Sequence, residues 1–337
     1  MNQRALWGWI RGVGVVVVLM MQAVAAWPQA SQTSDEFQQD LALANSGNAA
    51  AQLRVGLAYD RGLVVSGSYA QAMRWLRAAS DGGSAEAEAW MGSLYLLGHG
   101  VPKDFDKAYG IESKLAAQNV PAAELFLGFM YLSGDGVTKD AHRAANLFRQ
   151  AREGGEARAS DMLGVLYQRG EGVPQDYTLA EYFYRQAAAN GDDWGAMHLG
   201  DMYLKGLSVA KDYGAAFRNF NAAAEQGNFA AQQRLGMMFE KGKGVSKDYQ
   251  QALRWYTMAA RRSYATAQLS LADMYDHGRG VTTDRVKAYA WTLLAANNND
   301  ASAVARLEKL RTQLSDDEVE QARQLSARLV QGKASQD

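Results

Sequence analysis

The chain repeats one pattern of small, aliphatic and aromatic positions every 36 residues, and a glycine marks each repeat. This period glycine occurs seven times, at Gly62, Gly98, Gly134, Gly170, Gly206, Gly242 and Gly278. A small, an aliphatic and an aromatic residue stand eleven, seven and three positions before it, as at Ala123, Leu127 and Tyr131. Residues four apart share one face of an α-helix, and glycine commonly follows a helix end. The pattern predicts a first helix in each repeat that ends at the period glycine.

A second helix is predicted after the short loop that follows each period glycine. The loops end in residues that cap helices well, since their side-chain oxygens accept from free backbone N–H groups. These residues are Ser68, Asp104, Asp140, Asp176, Asp212, Asp248 and Asp284. Small and bulky positions then recur together, as at Ala144 and Leu147, up to a turn near Gly155. Each repeat is therefore helix–loop–helix–turn, with helices of about 14 residues.

Glycine also occurs inside the first helix, six positions before the period glycine, in six of the seven repeats. An interior glycine costs a helix about 1 kcal/mol relative to alanine. Its recurrence at one position indicates a close helix crossing that leaves no room for a side chain. One helix pair cannot bury its apolar face alone, so we expect the repeats to stack on one another.

The repeated pattern A-x-x-x-L-G-x-x-Y-x-x-G-x-G-V-x-x-D-Y-x-x-A resembles the Sel-one-like repeat (SLR) family, which is related to the tetratricopeptide repeats. The resemblance covers roughly residues 34–330, and the segment from Ala231 to Tyr249 is a close match. It implies an all-α fold, a right-handed α/α superhelical solenoid of about seven 36-residue repeats with capping helices. It also implies an adaptor or regulator that holds other proteins, and it does not imply catalysis. The sequence departs from this pattern in three places. Ser208 replaces a loop glycine, Ala272 replaces a helix glycine, and the first loop continues from Gly62 with Leu63, Val64 and Val65, so that Val64 stands in place of the second glycine.

The N-terminal residues 1–26 are typical of a secretory signal peptide. Arg4 and Arg11 give a positive start, an apolar run covers residues 12–24, and small residues follow at Ala25 and Ala26. Cleavage would place the protein in a bacterial periplasm or outside the cell. The alternative is an uncleaved anchor, which would make the protein a membrane-tethered scaffold.

The remaining chain divides by the same patterns. Residues 27–34 are interpreted as a flexible lead-in, 35–300 as the repeat array with a capping helix at 35–45, and 301–330 as C-terminal capping helices. Ser315 and Glu318 match a capping box, and Leu314 and Val319 are placed as its hydrophobic staple. Residues 331–337 are expected to be disordered.

The net charge and the lack of cysteine limit the kinds of partner and modification that we expect. Removing the two signal arginines leaves 33 basic residues against 36 acidic ones, a net charge of about −3, which argues against nucleic acid as the partner. The chain has no cysteine, so it has neither a disulfide nor a lipid-modified cysteine. We expect another protein as the partner, with membrane contact only if the N-terminal segment is retained.

Candidate chemistry is sparse, and we expect no catalytic residue, no metal and no cofactor. The four histidines, His99, His142, His198 and His277, lack metal-ligand spacing and are interpreted as solvated surface residues. Ser208 and Lys211 match an S-x-x-K string, but they align with loop residues of the next repeat. The alternative function is a hydrolase acting on cell-wall material or β-lactams, of the cysteine-rich SLR type. The lack of cysteine weakens that alternative.

Positions that differ between repeats are candidates for recognition, and the clearest lies eight residues before the period glycine. The residue at this position and the residues three and seven further on are mostly apolar in repeats two to four. In repeats five and six they are mostly polar or charged. If first helices line a concave face, the first group forms an exposed apolar strip of Trp90, Leu97, Phe126, Phe129, Met162 and Val165. A charged zone continues it with His198, Asp201, Lys205 and Arg234. The hypothesis is that this surface docks a helix or extended segment of a partner protein. The alternatives are that these side chains form core between repeats, or that they make a dimer contact.

Overall fold

The computed structural model describes residues 34–61, 68–297 and 301–330, and within these ranges the protein is all-α, with 17 helices and no strand. The helices are α1 Ser34–Asn45, α2 Ala49–Arg61, α3 Tyr69–Asp81, α4 Ala85–Leu97, α5 Phe105–Ala116, α6 Pro121–Ser133, α7 Ala141–Glu153, α8 Ala157–Arg169, α9 Tyr177–Ala189, α10 Asp193–Lys205, α11 Tyr213–Glu225, α12 Phe229–Lys241, α13 Tyr249–Arg261, α14 Ala265–His277, α15 Arg285–Asn297, α16 Ala301–Arg311 and α17 Asp316–Val330. The even-numbered helices from α2 to α14 are the seven predicted first helices, and the odd-numbered ones from α3 to α15 are the second helices. The all-α fold of paired helices is confirmed.

The predicted caps begin the second helices. The Asp140 carboxylate accepts from the Arg143 amide at 2.9 Å, and Asp212 and Asp284 accept at 2.8 Å from the amides of Ala215 and Lys287. The six period glycines that the structure describes, Gly98 to Gly278, end their first helices in the left-handed conformation, as at Gly134 with φ 84°. Local sequence therefore determines where most helices begin and end.

The glycine inside each first helix lies against a bulky side chain of the following second helix. A Cβ on Gly128 would stand 2.6 Å from the Phe148 ring, and one on Gly164 would stand 2.6 Å from Tyr184. Such distances are too short for any real Cβ, so the predicted close crossing is confirmed. The opposing residues in the six repeats with this glycine are Leu76, Glu112, Phe148, Tyr184, Phe220 and Tyr256.

The chain divides into two compact units, one up to Gly195 and one from Ala196 onward. In the first unit, helices α1 to α9 bury Leu76, Leu94, Phe126, Phe129 and Phe148 almost completely. In the second unit, Tyr256, Leu271, Met274 and Trp291 belong to one core cluster.

The C-terminal end closes as predicted. The Ser315 hydroxyl accepts from the Glu318 amide at 3.3 Å, and the Glu318 carboxylate accepts from the Ser315 amide at 2.8 Å. Leu314 and Val319 are buried together in a cluster that also contains Leu310. The capping box and its staple therefore start α17.

Several sequence-based expectations fall outside the described residues. These are the signal peptide over 1–26, nearly all of the lead-in over 27–34, and the tail over 331–337. Among the residues that the structure describes, no helix has both the length and the apolar character that crossing a bilayer requires.

Candidate functional site

The predicted exposed apolar strip is wrong, because most of its residues lie in the core of the first unit. Trp90 is 3% exposed, Phe126 1%, Phe129 0%, Met162 0% and Val165 3%. Of the strip, Leu97 alone is half-buried. These side chains instead form core between repeats, which was the alternative interpretation.

Contacts between successive helices explain this burial. The Trp90 ring of α4 meets the Phe126 ring of α6 edge to face at 5.3 Å. Phe129, also on α6, meets Phe148 of α7 at 5.5 Å. First helices of consecutive repeats thus pack directly on one another through these positions, which leaves little of their variable face to solvent.

The equivalent positions of the second unit do reach the surface. They are polar or charged in most cases and come from three consecutive first helices, α10, α12 and α14. We call this set the mixed-charge face, and it consists of His198, Asp201, Lys205, Arg234, Met237, Lys241, Ser270, Asp273 and His277. Lys205, Lys241 and His277 are exposed, and the other six are half-buried. The predicted charged zone of His198, Asp201, Lys205 and Arg234 is part of this face.

Asp201 is the centre of one ionic cluster on the mixed-charge face. Arg234 donates to both carboxylate oxygens, from Nε at 2.8 Å and from Nη2 at 3.1 Å. Lys205, one turn along α10, donates from Nζ at 2.9 Å. Burial opposes the charged form of Asp201, but Arg234 and Lys205 outweigh it and lower its pKa to about 2. This cluster joins repeats five and six and carries two cations for one anion.

The same contact recurs at the end of the array. Arg306 of α16 donates to Asp273 of α14 at 3.5 Å and to Asp276 at 3.2 Å. In both clusters an arginine stands 33 residues after the aspartate that it pairs with. Arg279 extends this second cluster, donating to Asp273 at 2.7 Å and to Glu240 at 2.9 Å. At these positions ionic contacts therefore join elements of the second unit, whereas the rings of Trp90 and Phe126 join repeats in the first.

The first unit contains a buried charged cluster that sequence reasoning missed. Arg158 is 0% exposed and its Nη1 lies 3.1 Å from Asp192 and 4.0 Å from Asp161. Its guanidinium also lies 5.5 Å from the centre of the Trp194 ring. Burial raises the pKa of Asp192, while the charge of Arg158 lowers it. No signal in the repeat pattern points to this cluster, since most repeats have a small residue at the position of Arg158.

Two further candidates for chemistry, His99 and Ser208, occupy loop positions. His99 stacks on Tyr69 at 4.1 Å, and burial together with the charge of Lys103 lowers its pKa. Ser208 takes a left-handed conformation, φ 62°, at the position where the next repeat has Gly244, so it is a turn residue. Within the described ranges, no three His, Asp or Glu side chains are grouped so that they could hold a metal ion.

The tandem helix pairs place the chain in the class of α-helical repeat proteins. The model of the Sel1 repeat family matches residues 49–84, 85–118, 121–156, 157–192, 195–228, 229–264 and 265–300. These seven matches cover most of the chain, so it belongs to the Sel1 repeat family.

One solved structure agrees with this membership, and others match at lower TM-scores. A crystal structure of a Sel1 repeat protein from Oxalobacter formigenes is 30% identical, with 78% of this chain and 99% of that chain covered and a TM-score of 0.61. A protective antigen of uropathogenic Escherichia coli with an SLR fold is 33% identical over 89% of this chain and 72% of that one, with a TM-score of 0.37. An immunity protein from Pseudomonas aeruginosa is 20% identical over 63% of this chain and 81% of that one, with a TM-score of 0.48. The comparison with curated proteins found no match.

Proposed function

We propose that this protein is a non-catalytic adaptor or regulator that binds another protein through the mixed-charge face of its second unit. The observation that carries the proposal is the row of half-buried and exposed polar side chains on α10, α12 and α14. In the first unit most of the same positions are buried in core contacts, whereas here they are half-buried or exposed and remain within reach of a partner.

The charges of this face favour a protein partner. Lys205 and Lys241 belong to the same face as Asp201 and Asp273, so charges of both signs occur on it. A nucleic acid would favour a surface of one sign, whereas a protein segment is selected by complementary charges of both signs. Met237 adds an apolar, adaptable contact to the same row. Tandem repeats are well suited to such a role because they present residues at regular spacing along an extended surface.

The experiment is charge reversal at the face with a matched control in neighbouring loops. The test variant is Lys205→Glu with Lys241→Glu, and the control is Lys211→Glu with Lys247→Glu, all four lysines being exposed. Crosslinked capture from an envelope extract of the source bacterium should recover a defined partner with wild type and the control. The test variant should lose at least about tenfold of this capture, which corresponds to about 1.4 kcal/mol. Equal capture by both variants, with folding verified by circular dichroism, would contradict the proposal.

The proposed location is the periplasm or the exterior of a bacterial cell. Its support is the N-terminal sequence, with two arginines before an apolar run and small residues after it. Mass spectrometry of the mature protein should find a new N-terminus near Ala26. An intact Met1 on membrane-bound protein would favour the tethered scaffold instead.

A further inference from the structure

Glu112 occupies a position that the neighbouring repeats fill with aromatic rings. It lies on α5 against Gly92 of α4, and the next four repeats place Phe148, Tyr184, Phe220 and Tyr256 against the equivalent glycine. The position is a close helix crossing, since in repeats three to six a Cβ on the glycine would stand 2.5–2.7 Å from the opposing ring. A carboxyl group is therefore held where the fold otherwise requires apolar volume.

No hydrogen bond replaces the water that the Glu112 carboxyl oxygens lose on burial. The side chain is 0% exposed, and no described group is hydrogen-bonded to either Oε1 or Oε2. The two tyrosines at the equivalent position do find partners, since Tyr184 donates to Gln168 and Tyr256 donates to Glu240, both at 2.8 Å. An ionised carboxylate without water or a donor is far more costly to bury than a neutral acid.

The charged groups on the adjacent helices add to this cost. On α4, Glu88 repels the charged form of Glu112, and its own carboxylate accepts from Lys114 at 3.0 Å. The other titratable residues of α4 are Glu86 and Tyr95. On α6, Glu124 interacts with Glu153 and Tyr131 interacts with Tyr109. Burial first, and then the charge of Glu88, raise the pKa of Glu112 well above its ordinary value.

We propose that Glu112 makes the second repeat a pH-sensitive element, in which α4 and α5 pack together while the acid is neutral and separate when it ionises. The neutral acid fits against Gly92 as an uncharged side chain of intermediate size. The anion requires water, which reaches it when the two helices move apart. The aromatic rings of repeats three to six make the same contact at any pH.

The direction of the pH dependence follows from this exchange. In the open form the acid titrates near its ordinary pKa of 4.5, and in the packed form it titrates higher. The stabilising contact is fully present below about pH 4.5 and is lost progressively as the pH rises towards the packed-form pKa. Within that window the equilibrium constant for separating α4 and α5 should rise by up to about tenfold for each pH unit, since one proton is released.

Hydrogen exchange of the full chain between pH 5 and pH 8 tests this proposal. For amides of α4 and α5, the ratio of protection in Glu112→Gln to protection in wild type should grow with pH by up to about tenfold per unit. Glu112→Leu should remove the pH dependence in the same way. Glu153→Gln, at an exposed helix end, is the matched control and should behave as wild type does.

Two outcomes would overturn the proposal. One is a ratio that stays constant across the pH range, which would mean that Glu112 does not titrate differently in the packed form. The other is an equal pH-dependent loss of exchange protection in all described repeats, which would assign the effect to global unfolding rather than to the second repeat.

Discussion

At the scale of single residues, the side chain eight positions before each period glycine decides how consecutive repeats join. In the first unit Trp90 and Phe126 occupy this position and meet each other through their rings, while Arg54 at the same position pairs with Asp40 of α1. In the second unit Arg234 occupies it and pairs with Asp201 of the preceding repeat. One position therefore serves as apolar core or as ionic contact, depending on the residue.

Asp201→Asn tests the ionic version of this contact. A carboxyl pKa lowered from 3.8 to about 2 corresponds to about 2 kcal/mol of stability at neutral pH. This contribution is present above pH 3.8 and is lost as the pH falls towards 2, because a lowered pKa favours the native state only while the acid is charged. Chemical denaturation should therefore show a constant loss of about 2 kcal/mol from pH 8 to pH 5 that shrinks below pH 4. A loss that does not change over the whole range would contradict the assigned pKa.

Gly128→Ala tests the close crossing of first and second helices. The new Cβ would stand 2.6 Å from Phe148, so the variant should lose about 1–3 kcal/mol of unfolding free energy through overpacking. Gly110→Ala is the matched control, since a Cβ there meets nothing within 4 Å, and it should gain up to about 1 kcal/mol from helix propensity. Thermal and urea denaturation of both variants measure the difference. Similar effects of the two substitutions would mean that the crossing is looser than the structure shows.

At the scale of helices, the sequence predicts most of what the structure contains. Asp140 and Asp212 cap second helices, Ser315 and Glu318 form the capping box, and the described period glycines end first helices, because each signal acts over a few neighbouring residues. Exposure of Trp90 and Phe126 was predicted wrongly, because it depends on how closely one first helix approaches the next. A signal was nevertheless present: charges of opposite sign recur 33 residues apart, at Asp201 and Arg234, and this spacing identifies the contact between repeats.

The buried cluster around Arg158 is the contact that joins α8 to the start of α10. Arg158→Met should lower the unfolding free energy by about 3–5 kcal/mol, because Asp192 would remain buried without its counter-charge. Lys114→Met removes an ion pair of similar length, 3.0 Å to Glu88, from an exposed site and should cost less than about 1 kcal/mol. Urea denaturation at neutral pH compares the two. A cost for Arg158→Met as small as for Lys114→Met would contradict the buried placement of the guanidinium.

At the scale of the whole molecule, the two units use the same repeat differently. The first unit buries most of its variable positions in core contacts, and it places a carboxyl group, Glu112, at the close helix crossing beside Gly92. The second unit leaves the corresponding positions of α10, α12 and α14 half-buried or exposed and mostly polar. Family membership was predictable from the repeat alone, whereas the location of the accessible face required the contacts between repeats.

Site-specific photo-crosslinking tests the central claim, that the mixed-charge face holds a partner protein, most directly. A photo-reactive residue would replace Lys241 or His277 on this face, and Lys139 in a loop of the first unit would serve as the control, all three side chains being exposed. The account predicts one crosslinked partner of the same mass from positions 241 and 277 and none from position 139. Crosslinks to that partner from position 139, with none from positions 241 and 277, would contradict it.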